Sequence, residues 1–306
     1  MSFNPATNDR QLAIRLKKLR NEAAQERSTA LLQSTLDLAA SESKEMHDSY
    51  AQQTLHLFIR NNKADDLLPL IAYLLQTTNA TLDSTLQYIS YQCASIPLLE
   101  LLCENGFDIN QPDKANNDQR ILDMLITNES YVEWLLEHGA QTNFTEPQPI
   151  LDVCARLGSL ATFRLLQSRG ATLSSRTLHC AAKAAASYGA SPTETQAGDE
   201  SKQSRGRMEV LRHLVEELEM DVNVLDDDGD NPIDHFGYWG TPLAYAASEP
   251  RGAGVVRWLL EHGADSGKGK GEGIYNACWV AEFQGNRKIL DVLEKSKKIE
   301  TTHTIT

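Results

Sequence analysis

One run of the sequence is an obvious candidate for metal binding: Asp226-Asp227-Asp228-Gly229-Asp230. Closely spaced carboxylates of this kind can ligate calcium. A calcium loop with Gly229 at its sixth position needs acidic ligands at Val224 and His235, and neither residue supplies one. The glycine-rich segment 267–273 has neither the glycine spacing of a phosphate-binding loop nor a strand pattern before it. The sequence therefore predicts neither site.

Histidines and cysteines could also do chemistry. His138 and His262 occur in two copies of Leu-Leu-Glu-His-Gly-Ala, where a donor in the last turn of a helix suits the helix dipole. The cysteines form no Cys-x-x-Cys pair and lie mostly in apolar helical patterns, at positions 93, 103, 154, 180 and 278. No Ser–His–Asp or Cys–His arrangement is indicated. We expect a non-enzymatic protein with no metal and no cofactor.

His138 and His262 lie on helix ends of a kind that recurs along the chain. Five segments start with an apolar helix end and pass through glycine or a substitute, at Gly106, Gly139, Gly170, Glu219 and Gly263. The spacings are 33, 31, 49 and 44 residues, so the period is near 33 and two insertions lengthen it. Glycine enters the left-handed conformation that ends many helices. Asn79 fits the same place, whereas Glu219 does not and predicts a different helix end.

A first helix precedes these ends, most clearly in Thr-Pro-Leu-Ala-Tyr-Ala-Ala at 241–247 and in 176–182. This helix, a second helix and Leu-Leu-Glu-His-Gly-Ala-Asp at 259–265 together resemble the ankyrin repeat, a β-turn and two helices in about 33 residues. The family's Asp-x-Asp-Gly fingertip matches 226–229. The resemblance also implies that His179 forms hydrogen bonds between neighbouring turns.

The predicted architecture is all-α: an ankyrin-repeat solenoid of about seven helix-pair repeats at 50–297, behind an N-terminal helical extension at 1–47. A flexible tail is expected at 298–306. Insertions are expected near 191–207 and 233–240. The first lacks large apolar residues and indicates a flexible loop. The second carries Phe236, Tyr238 and Trp239, which indicate either a local hydrophobic cluster or a binding surface.

Composition limits the location and the partners. The net charge is −13, which makes most of the surface unfavourable for nucleic acid. We expect no secretory leader and no membrane helix, since no apolar run approaches the roughly 20 residues that a membrane span needs. A cytoplasmic and/or nuclear protein is expected.

The N-terminal segment has the opposite charge. Between residues 10 and 20 it has five basic side chains and no acid: Arg10, Arg15, Lys17, Lys18 and Arg20. It is faintly similar to the basic region of leucine-zipper factors through Asn21, Ala24 and Gln25, but Glu22 and Glu26 replace arginines and no heptad repeat follows. We expect this helix to cap the first repeat rather than to contact nucleic acid directly.

The resemblance implies a protein partner bound on a concave face of fingertips and first helices. The leading prediction is an adaptor or scaffold; the alternatives are a transcriptional coregulator acting through a DNA-binding partner and a regulatory subunit of an enzyme. The acidic finger predicts a basic segment in the partner, unless these acids are only solvated turn residues. By position, the expected contact residues are Asp108, Asn110, Asp113, Thr142, Asn143, Asp226, Asp227, Asp228, Asp230, Trp239 and Tyr245.

Overall fold

The protein is described by a computed structural model that covers residues 5–83, 85–89, 92–114, 116–144, 148–189, 199–226, 240–269 and 275–303. In these ranges the regular elements are helices, and the one β-type contact is an isolated bridge between Asp113 and Gln119. The predicted all-α class is confirmed. The chain divides into two compact units, Met1–Leu125 and Ile126–Thr306. None of the helices in the described ranges is both long enough and apolar enough to cross a bilayer.

The first unit consists of consecutive helices, each packed on the next as far as α5. Serine side chains cap the starts of α2 and α3, where Ser28 accepts from Leu31 N and Ser43 accepts from Met46 N. The helices are α1 (Pro5–Glu26), α2 (Thr29–Ala40), α3 (Lys44–Asn61), α4 (Leu68–Thr77), α5 (Ile96–Glu104) and α6 (Ile121–Met124).

The N-terminal helix α1 belongs to this packed unit. Its Leu16 and Ala23 side chains are buried against its neighbours, and the Tyr50 hydroxyl of α3 donates to the Leu16 carbonyl at 2.9 Å. Helix α3 starts at Lys44, so it crosses the boundary predicted between residues 47 and 50. The extension and the first predicted repeat therefore share one core.

The region predicted as the second repeat, 82–110, differs from the expected helix pair. Among its described residues, a 3₁₀ turn, Leu86–Tyr88, stands before α5 where a first helix was expected. Asn79 likewise differs from its prediction: α4 ends at Thr77, the next residue, Thr78, has an extended backbone, and its hydroxyl donates to the Leu74 carbonyl at 2.7 Å. A side-chain hydrogen bond ends this helix without a left-handed residue.

The second unit is a two-layer arrangement of helix pairs. In one layer α8 packs on α10, α10 on α12, and α12 on α14; in the other, α7 packs on α9, α9 on α11, and α13 on α15. The helices are α7 (Glu129–Glu137), α8 (Ile150–Leu157), α9 (Leu160–Ser168), α10 (Thr177–Ser187), α11 (Asp199–Arg212), α12 (Pro242–Ala247), α13 (Ala253–Glu261), α14 (Ala277–Phe283) and α15 (Arg287–His303).

Alanines allow the first of these layers to pack closely. Ala181, Ala182 and Ala185 of α10 are fully buried, as are Ala244 and Ala246 of α12. A side chain of one carbon brings little bulk between two helices, so their backbones can approach.

The predicted left-handed glycines are confirmed. Gly106 and Gly139 have φ of +91°, and Gly170 and Gly263 have φ of +88°. After each glycine, the next amide donates to the carbonyl five residues earlier, as Ala140 N does to Leu135 O at 2.9 Å. At Glu219 the prediction is half right: a π-helical turn, His213–Glu217, makes this helix end different from the others, but Glu219 itself has φ of +52° and so adopts the left-handed conformation that it was not expected to take.

The predicted flexible loop at 191–207 is partly wrong. Residues 191–198 lie outside the described residues, but α11 begins at Asp199, so the rest of the segment is helical. Arg207 is buried, and its guanidinium donates to the Leu157 and Gly158 carbonyls at the end of α8. The physical reason is a tertiary contact. Arg207 anchors this polar helix because its guanidinium satisfies carbonyls that the end of α8 leaves unpaired.

Helix α11 offers a direct stability test at Gly206. Its φ is not left-handed, and a methyl group there would meet no atom within 4 Å. We expect Gly206→Ala to raise the free energy of unfolding by about 0.5–1 kcal/mol, because alanine loses less backbone entropy in a helix. Urea denaturation followed by circular dichroism measures this. A loss of stability would contradict a helix at this position.

Two predicted segments lie toward the C-terminus, the insertion near 233–240 and the tail at 298–306. The insertion near 233–240 lies outside the described residues except for Gly240. The predicted tail at 298–306 is helical as far as His303, because α15 continues through it.

Candidate protein-binding surface

A buried polar cluster joins the second unit's helix layer to Asp226, the first residue of the segment that the sequence predicts to be a finger. The Tyr245 hydroxyl of α12 donates to Asp226 Oδ2 at 2.7 Å, and Arg176 donates to the Tyr245 oxygen at 3.3 Å. Asp226 is 3% exposed and Tyr245 2% exposed. Burial and the nearby carboxylate raise the pKa of Tyr245, so this phenol stays protonated and acts as a donor.

His179 of α10 contacts the backbone on both sides of the same segment. Its Nε2 lies 3.1 Å from the Val224 carbonyl and 3.0 Å from the Gly240 carbonyl, so this nitrogen carries the proton and donates. Burial lowers the pKa of His179, which keeps the ring neutral. The backbone amide of Asp226 also donates to Gly240 O at 2.9 Å. The predicted bridging role of His179 between turns is confirmed.

A second buried carboxylate holds the turn that leads into α10. Asp152 of α8 accepts from the Ser174 hydroxyl at 2.7 Å and from the Thr177 hydroxyl at 2.6 Å. Burial raises the pKa of Asp152, and these hydrogen bonds oppose that rise. The contact fixes the turn against the preceding helix, which is a structural role.

Four predicted contact residues are therefore corrected. Asp226 and Tyr245 are partners of each other inside the protein. Thr142 is buried, and its hydroxyl donates to Arg169 O at 3.3 Å. Asp113 is buried at the base of a hairpin, where its amide donates to Gln119 O at 2.8 Å. A partner has little direct access to these side chains, because all four are buried.

Three predicted residues remain near the surface. Asp108 and Asn143 are exposed and Asn110 is half-buried. Asp108 Oδ1 accepts from Asn110 N at 2.8 Å, so its carboxylate stabilises a turn while facing solvent. Asp227, Asp228, Asp230 and Trp239 lie outside the described residues.

The hairpin that starts at Asp113 has an exposed tip that the sequence predictions missed. Asn117 and Asp118 have φ of +52° and +55°, and both are exposed. Asparagine and aspartate tolerate this conformation best among non-glycine residues. The signal was the run Asn116-Asn117-Asp118, which is typical of a tight turn.

The second unit holds a set of exposed acids on two adjacent turns. Asn223 joins the turns: its Nδ2 donates to Gly263 O at 2.9 Å, and its Oδ1 accepts from Asp265 N at 2.7 Å. Asp221 Oδ1 accepts from Asn223 N at 2.8 Å, and Asp265 Oδ1 accepts from Gly267 N at 2.7 Å. Both carboxylates are exposed, as is Glu219. We call Glu219, Asp221 and Asp265 the acidic turn edge.

The two histidines of the Leu-Leu-Glu-His-Gly-Ala copies have matching structural contacts. His138 Nδ1 lies 2.7 Å from Trp134 O, and His262 Nδ1 lies 2.8 Å from Trp258 O. Each ring also stacks on that tryptophan, with centroids 3.9 Å apart in both cases. Both histidines therefore cap helix ends as donors, in agreement with their predicted structural role.

Two observations concern nucleophilic and metal-binding side chains among the described residues. Burial raises the pKa of the Cys154 thiol to about 12, which makes it a poor nucleophile at neutral pH. Among the residues with described positions, no group of three or more His, Cys, Asp or Glu side chains is placed to hold a metal ion.

Comparisons of this chain with protein-family models and with curated proteins find no match.

Proposed function

We propose that the helix pairs are ankyrin-type repeats and that the chain is a non-enzymatic adaptor or scaffold which binds another protein through its turns. Two features support the repeat assignment. Helix pairs stack in two layers through the second unit, and left-handed glycines follow the second helices α7, α9 and α13. The His179 contacts to Val224 and Gly240 match the role that the resemblance implies.

The acidic turn edge is the observation that carries the binding proposal. Asn223 fixes two adjacent turns to each other, so Asp221 and Asp265 are held by backbone hydrogen bonds and do not need to be ordered by a partner. Charges that are already in place can attract and orient an oppositely charged ligand at little entropic cost. The partner segment is therefore basic, with Lys or Arg side chains spaced to reach both carboxylates.

Charge neutralisation at Asp221 and Asp265 tests the proposal without breaking the turns. In the double variant Asp221→Asn/Asp265→Asn, each amide oxygen can still accept the same backbone N–H. We expect binding of a basic partner to weaken by roughly three- to tenfold at low salt, mainly through a slower association rate. The immobilised chain captures its partner from a lysate, mass spectrometry identifies it, and biolayer interferometry measures the rates.

The matched control is Glu133→Gln/Glu137→Gln, which removes two exposed charges from α7 in the same unit. It should bind the partner as the wild type does. Equal binding by all three proteins would place the partner elsewhere. Asp227 and Asp228 remain predicted contact residues, and their charge reversal belongs in the same experiment. Asp226 is left out because it is buried.

The cell compartment remains part of the proposal: we expect the protein in the cytoplasm, the nucleus or both. Fluorescence microscopy of the tagged full chain tests this.

A further inference from the structure

A groove between α1 and α3 in the first unit has walls of mixed chemistry. Its volume is about 290 Å³, at the lower end of the roughly 300–1,000 Å³ typical of ligand sites. The rim is open to solvent, because Lys17, Met46 and Ser49 are exposed. The lining side chains are Leu12, Ala13, Leu16, Lys17 and Arg20 of α1, and Met46, Ser49, Tyr50 and Gln53 of α3.

Two cations of this groove have no carboxylate partner in the described part of the chain. Lys18 on the neighbouring face pairs with Glu22 at 3.6 Å, whereas Lys17 and Arg20 form no ion pair there. The Arg20 guanidinium lies 5.9 Å from the centre of the Tyr50 ring, and its buried Nε has no hydrogen-bond acceptor. A buried N–H without an acceptor is unfavourable, so a ligand carboxylate beside Arg20 would satisfy both its charge and its donors.

The α3 wall supplies polar contacts beside the apolar ones. Gln53 Nε2 donates to Ser49 Oγ at 3.2 Å along the exposed side of the helix. Met46 and Leu12 provide apolar surface next to this pair. The groove thus combines positive charge, hydrogen-bonding groups and apolar area within the span of a few peptide residues.

We propose that this groove binds a short acidic peptide segment of a partner protein, with one large apolar side chain between the helices and carboxylates on Lys17 and Arg20. An inorganic anion would use the cations and leave the apolar walls wet. A lipid surface fits less well, because Ile14 is the one large hydrophobic residue that α1 exposes among its described side chains, which is little apolar area to enter a membrane interface. The site differs from the acidic turn edge in both position and sign of charge.

Peptide display on the full chain tests the proposal. A random 12-residue library is selected on the wild-type protein, and an enriched peptide is labelled with fluorescein for anisotropy titrations. We expect enriched peptides to carry at least two carboxylates and one large apolar residue. Affinity should fall about tenfold or more for Lys17→Glu/Arg20→Glu, and binding should weaken as salt rises.

Two further variants locate the peptide. Arg60→Glu/Lys63→Glu makes the same charge change at exposed positions outside the groove and should retain wild-type affinity. Ser49→Trp fills the groove without changing charge and should reduce affinity to a similar extent as the double reversal. If Lys17→Glu/Arg20→Glu fails to fold by circular dichroism, the Ser49→Trp result decides.

Several outcomes would overturn the proposal: no enriched peptide, enriched peptides without carboxylates, or unchanged affinity for Ser49→Trp. The groove would be assigned to lipid instead if the chain bound no peptide, sedimented with phosphatidylserine vesicles, and lost that sedimentation in Lys17→Glu/Arg20→Glu. Asp221→Asn/Asp265→Asn should leave peptide affinity unchanged, so this proposal and the proposed function can fail separately.

Discussion

Replacement of Phe163 by alanine is expected to lower the free energy of unfolding by about 3–5 kcal/mol. Phe163 lies on α9, is fully buried, and meets the His213 ring edge-to-face with centroids 6.0 Å apart. Helix α9 packs on α7, α8 and α11, so the vacated volume borders several helices that cannot all move inward. Urea denaturation followed by circular dichroism gives the change.

Phe283→Ala is the matched control. This ring is 67% exposed on α14 and stacks on Trp279, with centroids 5.1 Å apart. Its removal takes little apolar area out of a buried environment, so the loss should be at most about 1 kcal/mol. Similar losses for the two variants would mean that the α9 layer is not the core of the second unit.

The second large effect is expected at the hydroxyl of Tyr245. Tyr245→Phe keeps the ring but removes the O–H that donates to the buried Asp226 carboxylate at 2.7 Å. A buried charged acceptor that loses a donor destabilises the native state, so we expect a loss of about 2–3 kcal/mol. The same denaturation experiment measures this loss. The control is Tyr73→Phe, at a half-buried tyrosine of α4, which should change stability by less than about 0.5 kcal/mol.

A double-mutant cycle assigns this loss to the pair. Asp226→Asn removes the charge while leaving an oxygen that the hydroxyl can reach, so Tyr245→Phe should be less harmful in that background, by about 1–2 kcal/mol. Additive losses would show that the hydroxyl and the carboxylate do not interact. This contact would then have no part in holding Asp226 against α12.

The sequence predicted the features that depend on local backbone geometry. A helix end followed by glycine needs no knowledge of the rest of the fold, and Gly106, Gly139, Gly170 and Gly263 all have the expected left-handed φ. The histidine at position 262 was predicted correctly for the same reason, since its contact is with the carbonyl four residues earlier.

Features that depend on distant partners were not predictable. Arg207 lies in a polar segment that favoured a loop, and its role arises from carbonyls about fifty residues earlier. Asp226 and Tyr245 were predicted as surface contacts because sequence position does not reveal burial, which depends on the helices around them. Asn223 was overlooked because its bridge to residues 263 and 265 exists only after two turns are adjacent.

The contrast between local and distant contacts also separates the predicted binding residues into two groups. Residues matched to the fingertip by resemblance divide into buried supports, such as Asp113 and Thr142, and exposed acids that the turns hold in place. Asp221 and Asp265 were not predicted as contacts, since their place on the surface depends on the turns that their backbone hydrogen bonds hold. Charge at the surface and hydrogen bonding at the backbone are combined in one side chain at each position.

Hydrogen–deuterium exchange of the chain with and without its captured partner tests the proposed binding mode most directly. If a basic segment binds the acidic turn edge, the partner should slow exchange in peptides that cover residues 219–223 and 263–267. Peptides that cover α7, Glu129–Glu137, should exchange at the same rate in both samples. Slower exchange in α7 with unchanged exchange at both turns would contradict the account.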